Sequence, residues 1–151
     1  MAVVIDTFLR TGTDGFRSIR ELERYDGDPN CVEGAIVMSI DGVPLLSEDE
    51  WDDVDWLWPS LVQAAEECRT TGAGQRMFPD QPVLFSARRL ATGRLLVSVQ
   101  LGDETRAATA KAAEFYRALA AAGTEFFNHH RRLVRGGGYE REAALLRTWL
   151  A

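Results

Sequence analysis

The sequence predicts an α+β domain: a mostly antiparallel sheet with two long helices packed on one face and a short C-terminal helix. Three observations carry this expectation. Short β-like runs come in pairs joined by turn dipeptides, with Asp41-Gly42 the strongest hairpin signal. Two stretches, opening near Ser47 and Thr109, repeat apolar residues at helical spacing. A length of 151 residues, 46% hydrophobic and 26% charged, has the size and balance of one globular domain.

Each element follows from local pattern. Val3, Ile5, Thr7 and Leu9 alternate with Val4, Asp6 and Phe8, which predicts an opening strand. Thr11 to Gly15 reads as a turn, and Ser18 to Tyr25 as a short helical turn stopped by Asp26-Gly27-Asp28-Pro29. Val32 to Ile40 and Val43 to Leu46 form the hairpin. Ser47, with Glu50 at capping-box spacing, predicts a helix to about Arg69, bent at Pro59 and stopped before Gly72. A meander follows: Gln75 to Phe78, the turn Pro79-Asp80-Gln81-Pro82, Val83 to Leu90, Arg94 to Leu101, and a short strand Thr105 to Ala108. Thr109 is read as the cap of a second helix reaching Val134. The domain then spans 1–134, with Arg135-Gly136-Gly137-Gly138 a joint and 139–151 a last amphipathic helix.

At 100° per residue, Trp51, Val54, Leu57, Trp58, Leu61, Val62, Ala65 and Cys68 share the core face of the first helix. Asp52, Asp53, Trp56, Ser60, Gln63 and Glu67 fall opposite, with Pro59 also outward. Trp51 and Trp58 are therefore expected in the core and Trp56 in solvent. On the second helix, Phe115, Leu119, Ala122, Phe126, His130 and Leu133 make the buried stripe. Gly123 at its margin admits a close neighbour, and the end, His129 to Arg132 with Arg135, is basic.

Charge is concentrated. The chain holds 17 basic and 23 acidic residues, a net charge of -6. That balance argues against a phosphate backbone as partner and for a basic protein. Glu48, Asp49, Glu50, Asp52, Asp53 and Asp55 account for it, since without these six the chain holds 17 of each sign. Carboxylates suit a helix N-terminus, which explains Glu48 to Glu50 better than Asp52 to Asp55. An aromatic side chain among them has the form of an anchor within a charged rim. The expected binding residues are Glu48, Asp49, Asp52, Asp53, Asp55, Trp56, Ser60 and Gln63.

Competing chemistries find less support. Asp49, Asp52 and Asp53 lie close enough to bridge one divalent ion, but the stretch lacks the glycine and distal glutamate of an EF-hand, so no metal is expected. His129 and His130 belong to no HExxH, and no GxSxG elbow exists, so no enzyme is expected. The rival readings are a His130–carboxylate dyad between sheet and helix, and an oligomeric subunit joined as a homodimer through the C-terminal helix. His130 is expected as a hydrogen-bonded core histidine. The triple glycine lacks a P-loop lysine, and Gly72-Ala73-Gly74 leads into a strand, so no nucleotide cofactor is expected. Cys31 and Cys68 form no CxxC, the usage of a reduced cytoplasmic protein. The opening residues read as a strand rather than a signal peptide, and no run is long enough for a membrane span.

The hairpin Gly34 to Leu46, the acidic tryptophan-bearing stretch Trp51 to Leu61, the turn Phe78 to Pro82 and the Phe126-Phe127 helix carry one resemblance. Together, over residues 16–134, they resemble small bacterial proteins encoded beside polymorphic toxins as immunity proteins. The Ala, Arg and Gly usage resembles that of a high-GC bacterium. The resemblance implies an acidic binder that blocks a cognate basic toxin. It includes no catalytic or binding motif, so no functional residue comes with it.

Overall fold

The structure is a computed structural model that describes residues 2–12, 15–134 and 139–150; the expected glycine joint at 135–138 lies outside them. It is α+β, as the sequence predicts, but the strands divide into two antiparallel sheets rather than one.

The first sheet is built from β1 (Val3–Arg10), β2 (Phe16–Ser18), β3 (Glu33–Ile40) and β4 (Val43–Leu46) in the order β2-β1-β3-β4. A two-residue strand, β5 (Asp52–Asp53), adds to β3 beyond the end of β4, pairing Asp53 with Glu33 and Asp52 with Gly34. Ile5, Thr7 and Leu9 alternate inward from β1 against Ile36, Met38 and Ile40 of β3. The second sheet is a meander of β6 (Ala73–Met77), β7 (Val83–Arg89), β8 (Arg94–Leu101) and β9 (Glu104–Lys111). Its inner face presents Phe85, Val97 and Val99, all fully buried.

The helices close the core. α1 (Val54–Thr71) ends where Gly72, at φ 97, takes the left-handed conformation and returns its N–H to the Cys68 carbonyl. β6 then runs back against it, so closely that a Cβ on Gly74 would meet the Ala64 carbonyl oxygen. α2 (Ala112–Leu133) crosses both sheets. Its Phe126 stacks on Trp58 at 5.9 Å, and the Trp58 indole donates to Thr7 Oγ1 at 3.0 Å, joining helix and sheet through one buried side chain. α3 (Glu140–Leu150) packs on the same chain. Leu146 is fully buried, and its Cδ1 lies where a Cβ on Gly123 would be 2.7 Å away, the close approach Gly123 was expected to permit.

Several boundaries differ from the sequence reading. The segment after Ser47 is a single 3-10 turn (Glu48–Glu50) and then β5, and α1 begins only at Val54. Trp51 is thus off the helix and half-buried, with the Arg10 guanidinium 4.1 Å above its ring. Pro59 is buried rather than outward. α3 is the reason. Asp55, Pro59, Val62 and Glu66 form one stripe at i, i+4, i+7 and i+11, and Tyr139, just before α3, and Trp149 within it hydrogen-bond to its two ends. Thr109 does not cap α2, because pairing with β8 continues to Lys111.

Candidate functional site

Segment 47–63 was expected to present one acidic face, and the structure splits it into buried and exposed parts. The capping box forms: Asp49 N–H donates to Ser47 Oγ and Ser47 N–H to Glu50 Oε1. Glu50 itself is only 4% exposed and accepts from Arg106 Nη1 at 2.8 Å. Arg106 also reaches the Leu45 carbonyl and Glu104, so this one guanidinium of β9 joins the edges of the two sheets. Glu50 is structural.

Asp52 is 1% exposed, not on an outer face. Its Oδ1 accepts from Asp53 N–H at 2.7 Å, and its Oδ2 from Asp80 N–H at 3.0 Å and Gln81 N–H at 2.9 Å. The Gln81 side chain donates to the Trp51 carbonyl at 3.2 Å. Asp52 therefore clasps the turn between β6 and β7 onto the entrance of α1. Asp53, half-buried, accepts from the Cys31 thiol at 3.1 Å, a bond that, ahead of burial, pushes the thiol up to about 11. The exposed Asp80 carboxyl is raised too, first by the Asp52 charge, then by burial and Asp53.

Among the described residues, Asp52, Asp53 and Asp80 are the acidic groups with oxygens within 4.8 Å of one another, the spacing of a cation site. The sequence reading paired Asp49 with Asp52 and Asp53; the structure puts Asp80 in that place. Both Asp52 oxygens already point at backbone N–H groups, so the arrangement serves chain closure first.

Asp55 is 6% exposed, and its Oδ1 has no hydrogen-bond partner among the described residues. Burial pushes its carboxyl up to about 6, with Asp53 adding to the rise and backbone N–H groups opposing it. Tyr139 donates to the Asp55 carbonyl at 2.7 Å, pinning α3 to the first turn of α1. Beside them Tyr25 is pushed up to about 12 by burial, then by Asp28 and Asp55.

Trp56 stands clear of all this, 62% exposed on the first turn of α1, as the helical projection predicts. Its carbonyl accepts from Ser60 Oγ at 3.0 Å one turn on. Gln63, exposed two turns on, borders a 330 Å³ depression between α1, β6 and α3 with Val62, Arg76 and Leu145. Glu48 and Asp49 are exposed. Of the expected carboxylates, Glu48 and Asp49 stay exposed on the 3-10 turn, and Asp53 is joined instead by Asp28, Glu33 and Asp80. The added residues come from distant segments and were missed. Their only sequence signal is turn chemistry, Asp28-Pro29 and Pro79-Asp80, which marks turns without saying where they dock.

His130 is buried against Phe126 and Tyr139, and burial lowers its pKa, favouring neutral imidazole. Its Nε2 has no hydrogen-bond partner among the described residues, so neither the expected core hydrogen bond nor a carboxylate dyad forms through that atom. His129 Nδ1 lies 3.1 Å from Arg132, whose guanidinium donates to the Leu22 and Glu23 carbonyls. Among the described residues no helix is long and apolar enough to cross a membrane. No protein-family profile, curated protein or solved structure matches the chain.

Proposed function

We propose that this chain is a protein-binding module of the inhibitor or immunity type, acting in the cytoplasm by covering a basic surface on a partner. The observation that carries the reading is Trp56, 62% exposed on the first turn of α1, directly after the acidic segment Glu48–Asp55. A large aromatic held in solvent gains by burial at an interface, and the acidic rim steers a cationic partner toward it. A toxin that acts on nucleic acid has a site built for phosphate, which carboxylates mimic.

The geometry selects the substitutions that test this. Asp52 and Asp55 are buried, so changing them probes folding; Glu48, Asp49 and Asp53 are the carboxylates to neutralise. Capture from a native lysate with wild-type bait should recover a basic protein at low salt. In stopped-flow measurements on that protein, Glu48→Gln with Asp49→Asn should mainly slow association, because exposed charges act beyond contact only within about 8 Å at physiological salt. Trp56→Ala should mainly speed dissociation. Binding that ignores salt and tolerates Trp56→Ala would move the interface elsewhere and end this proposal.

A further inference from the structure

The second sheet has an outer face whose charged residues gather at one end. Side chains at alternate positions point away from the core, and none of them is acidic. Gln75, Met77, Arg88, Gln100 and Ala107 are exposed there, and Leu84 and Leu96 are half-buried with no helix of their own. One row crosses all four strands in register: Gln75 opposite Ser86, Ser86 opposite Ser98, Ser98 opposite Ala107. It is uncharged and small. On one side of it lie Arg88, Arg94 and Lys111; on the other lie Met77, Leu84 and the β8–β9 turn with Asp103. α1 packs on the opposite, inner face, so this surface is separate from Trp56.

We propose that this face binds a second copy of the same chain, sheet against sheet, about a two-fold axis running across the strands over the Gln75–Ala107 row. Such an axis exchanges the ends of each strand and keeps its lateral place. Positions four before and four after Ala107 then oppose each other, so Lys111 of each copy faces Asp103 of the other, both of them exposed. Positions two either side of Gln75 do the same, so Met77, 55% exposed, sits over Ala73. Ala73 and Gly74 line a 410 Å³ depression with Ser86, Arg88, Ser98 and, from α1 at the sheet edge, Glu67, and a methionine side chain enters it. Self-complementarity of this kind is what an isologous interface requires. The area fits as well. Four strands ~4.8 Å apart and seven residues of ~3.4 Å make a face of about 20 by 24 Å, or on the order of 1,000 Å² for two copies. That is the lower bound for a specific interface, so the dimer is weak and concentration-dependent.

Sedimentation velocity on the full chain from about 1 µM to about 1 mM tests the proposal. A monomer–dimer equilibrium that weakens with salt is expected. Ser98→Glu puts like charges face to face across the axis and should raise the dimer dissociation constant at least about tenfold. Lys111→Glu and Asp103→Lys, both at exposed strand ends, should each weaken the dimer, and the two together should restore most of it. This pair decides the matter if Ser98→Glu does not fold. Trp56→Ala should leave the dimer unchanged, which separates this surface from the proposed partner site. A chain that stays monomeric across the range overturns the proposal. So does a dimer indifferent to a folded Ser98→Glu variant, or losses that simply add in the Lys111/Asp103 double variant.

Discussion

Asp55→Asn should stabilise the protein at neutral pH and lose that advantage in mild acid. The carboxyl is 6% exposed, its Oδ1 is unpartnered among the described residues, and burial holds it at about 6. An unfolded aspartate titrates near ~3.9, and each pH unit of difference is worth about 1.4 kcal/mol. Ionised Asp55 therefore withholds up to ~3 kcal/mol from the native state at pH 7. Between pH ~4 and ~6 the folded chain retains a proton that the unfolded chain has released, so this contribution to stability falls as pH rises through that window. Asparagine keeps the shape and removes the charge. Its new amide hydrogens need acceptors, at a cost of ~1–3 kcal/mol, which leaves a net gain of up to about 2 kcal/mol at pH 7. Urea unfolding of both chains at several values from pH 4 to 8 measures the difference. The gap should close as pH falls below 6 and reverse by pH 4, where only the amide cost remains. A gap that is constant across that range would refute the account of a buried carboxyl whose ionisation burial makes costly.

Two further outcomes follow from the packing. Arg106→Ala strands the Glu50 carboxylate, 4% exposed, and should destabilise the fold by about 3–5 kcal/mol in denaturant titrations, with Glu50→Gln recovering part of the loss. A loss under about 1 kcal/mol would mean that the sheet junction does not depend on this pair. Gly123→Val places a Cβ 2.7 Å from Leu146 Cδ1 and 3.1 Å from Trp58, so unfolding should come about 1–3 kcal/mol earlier and α3 should become more susceptible to protease. An unchanged melting temperature would show that α3 does not pack on that glycine.

Where one face of an element is buried and the other wet, the sequence shows it. β1 and β8 alternate visibly, the Phe115–Phe126 stripe follows the helical period, and Trp56 emerges on the polar side. The start of α1 is different. Ser47 and Glu50 have capping-box spacing and do form the box, yet the turn they cap lasts only three residues. Asp52-Asp53 then pairs with Glu33-Gly34, and a two-residue strand leaves no period to detect. Placed on a helix, Asp52 projects outward; placed on a strand, it turns in toward Asp80. The division of the strands into two sheets is hidden for a similar reason. It depends on β4 and β9 meeting through the side chain of Arg106 rather than through backbone pairing. The acidic surface was half legible, since Asp28 and Asp80 join it only once their turns have docked.

The position of α2 in the chain bears on how the protein is made. The inner face of β1 is covered first by Trp58 of α1, which donates to Thr7, and then by α2, whose Phe126 stacks on Trp58, while Arg20 bridges Asp6 and Glu125. Phe126 follows Thr7 by roughly 120 residues, about 6 to 25 s of ribosomal elongation. For much of that interval Ile5, Thr7 and Leu9 have their strand neighbours, and later Trp58, but not the layer that α2 adds. The second sheet, drawn from one continuous run of chain, can assemble while they wait. A nascent chain of this protein therefore passes through a stage in which its first-made strands present an apolar surface, and it is then that a holdase chaperone has something to grip.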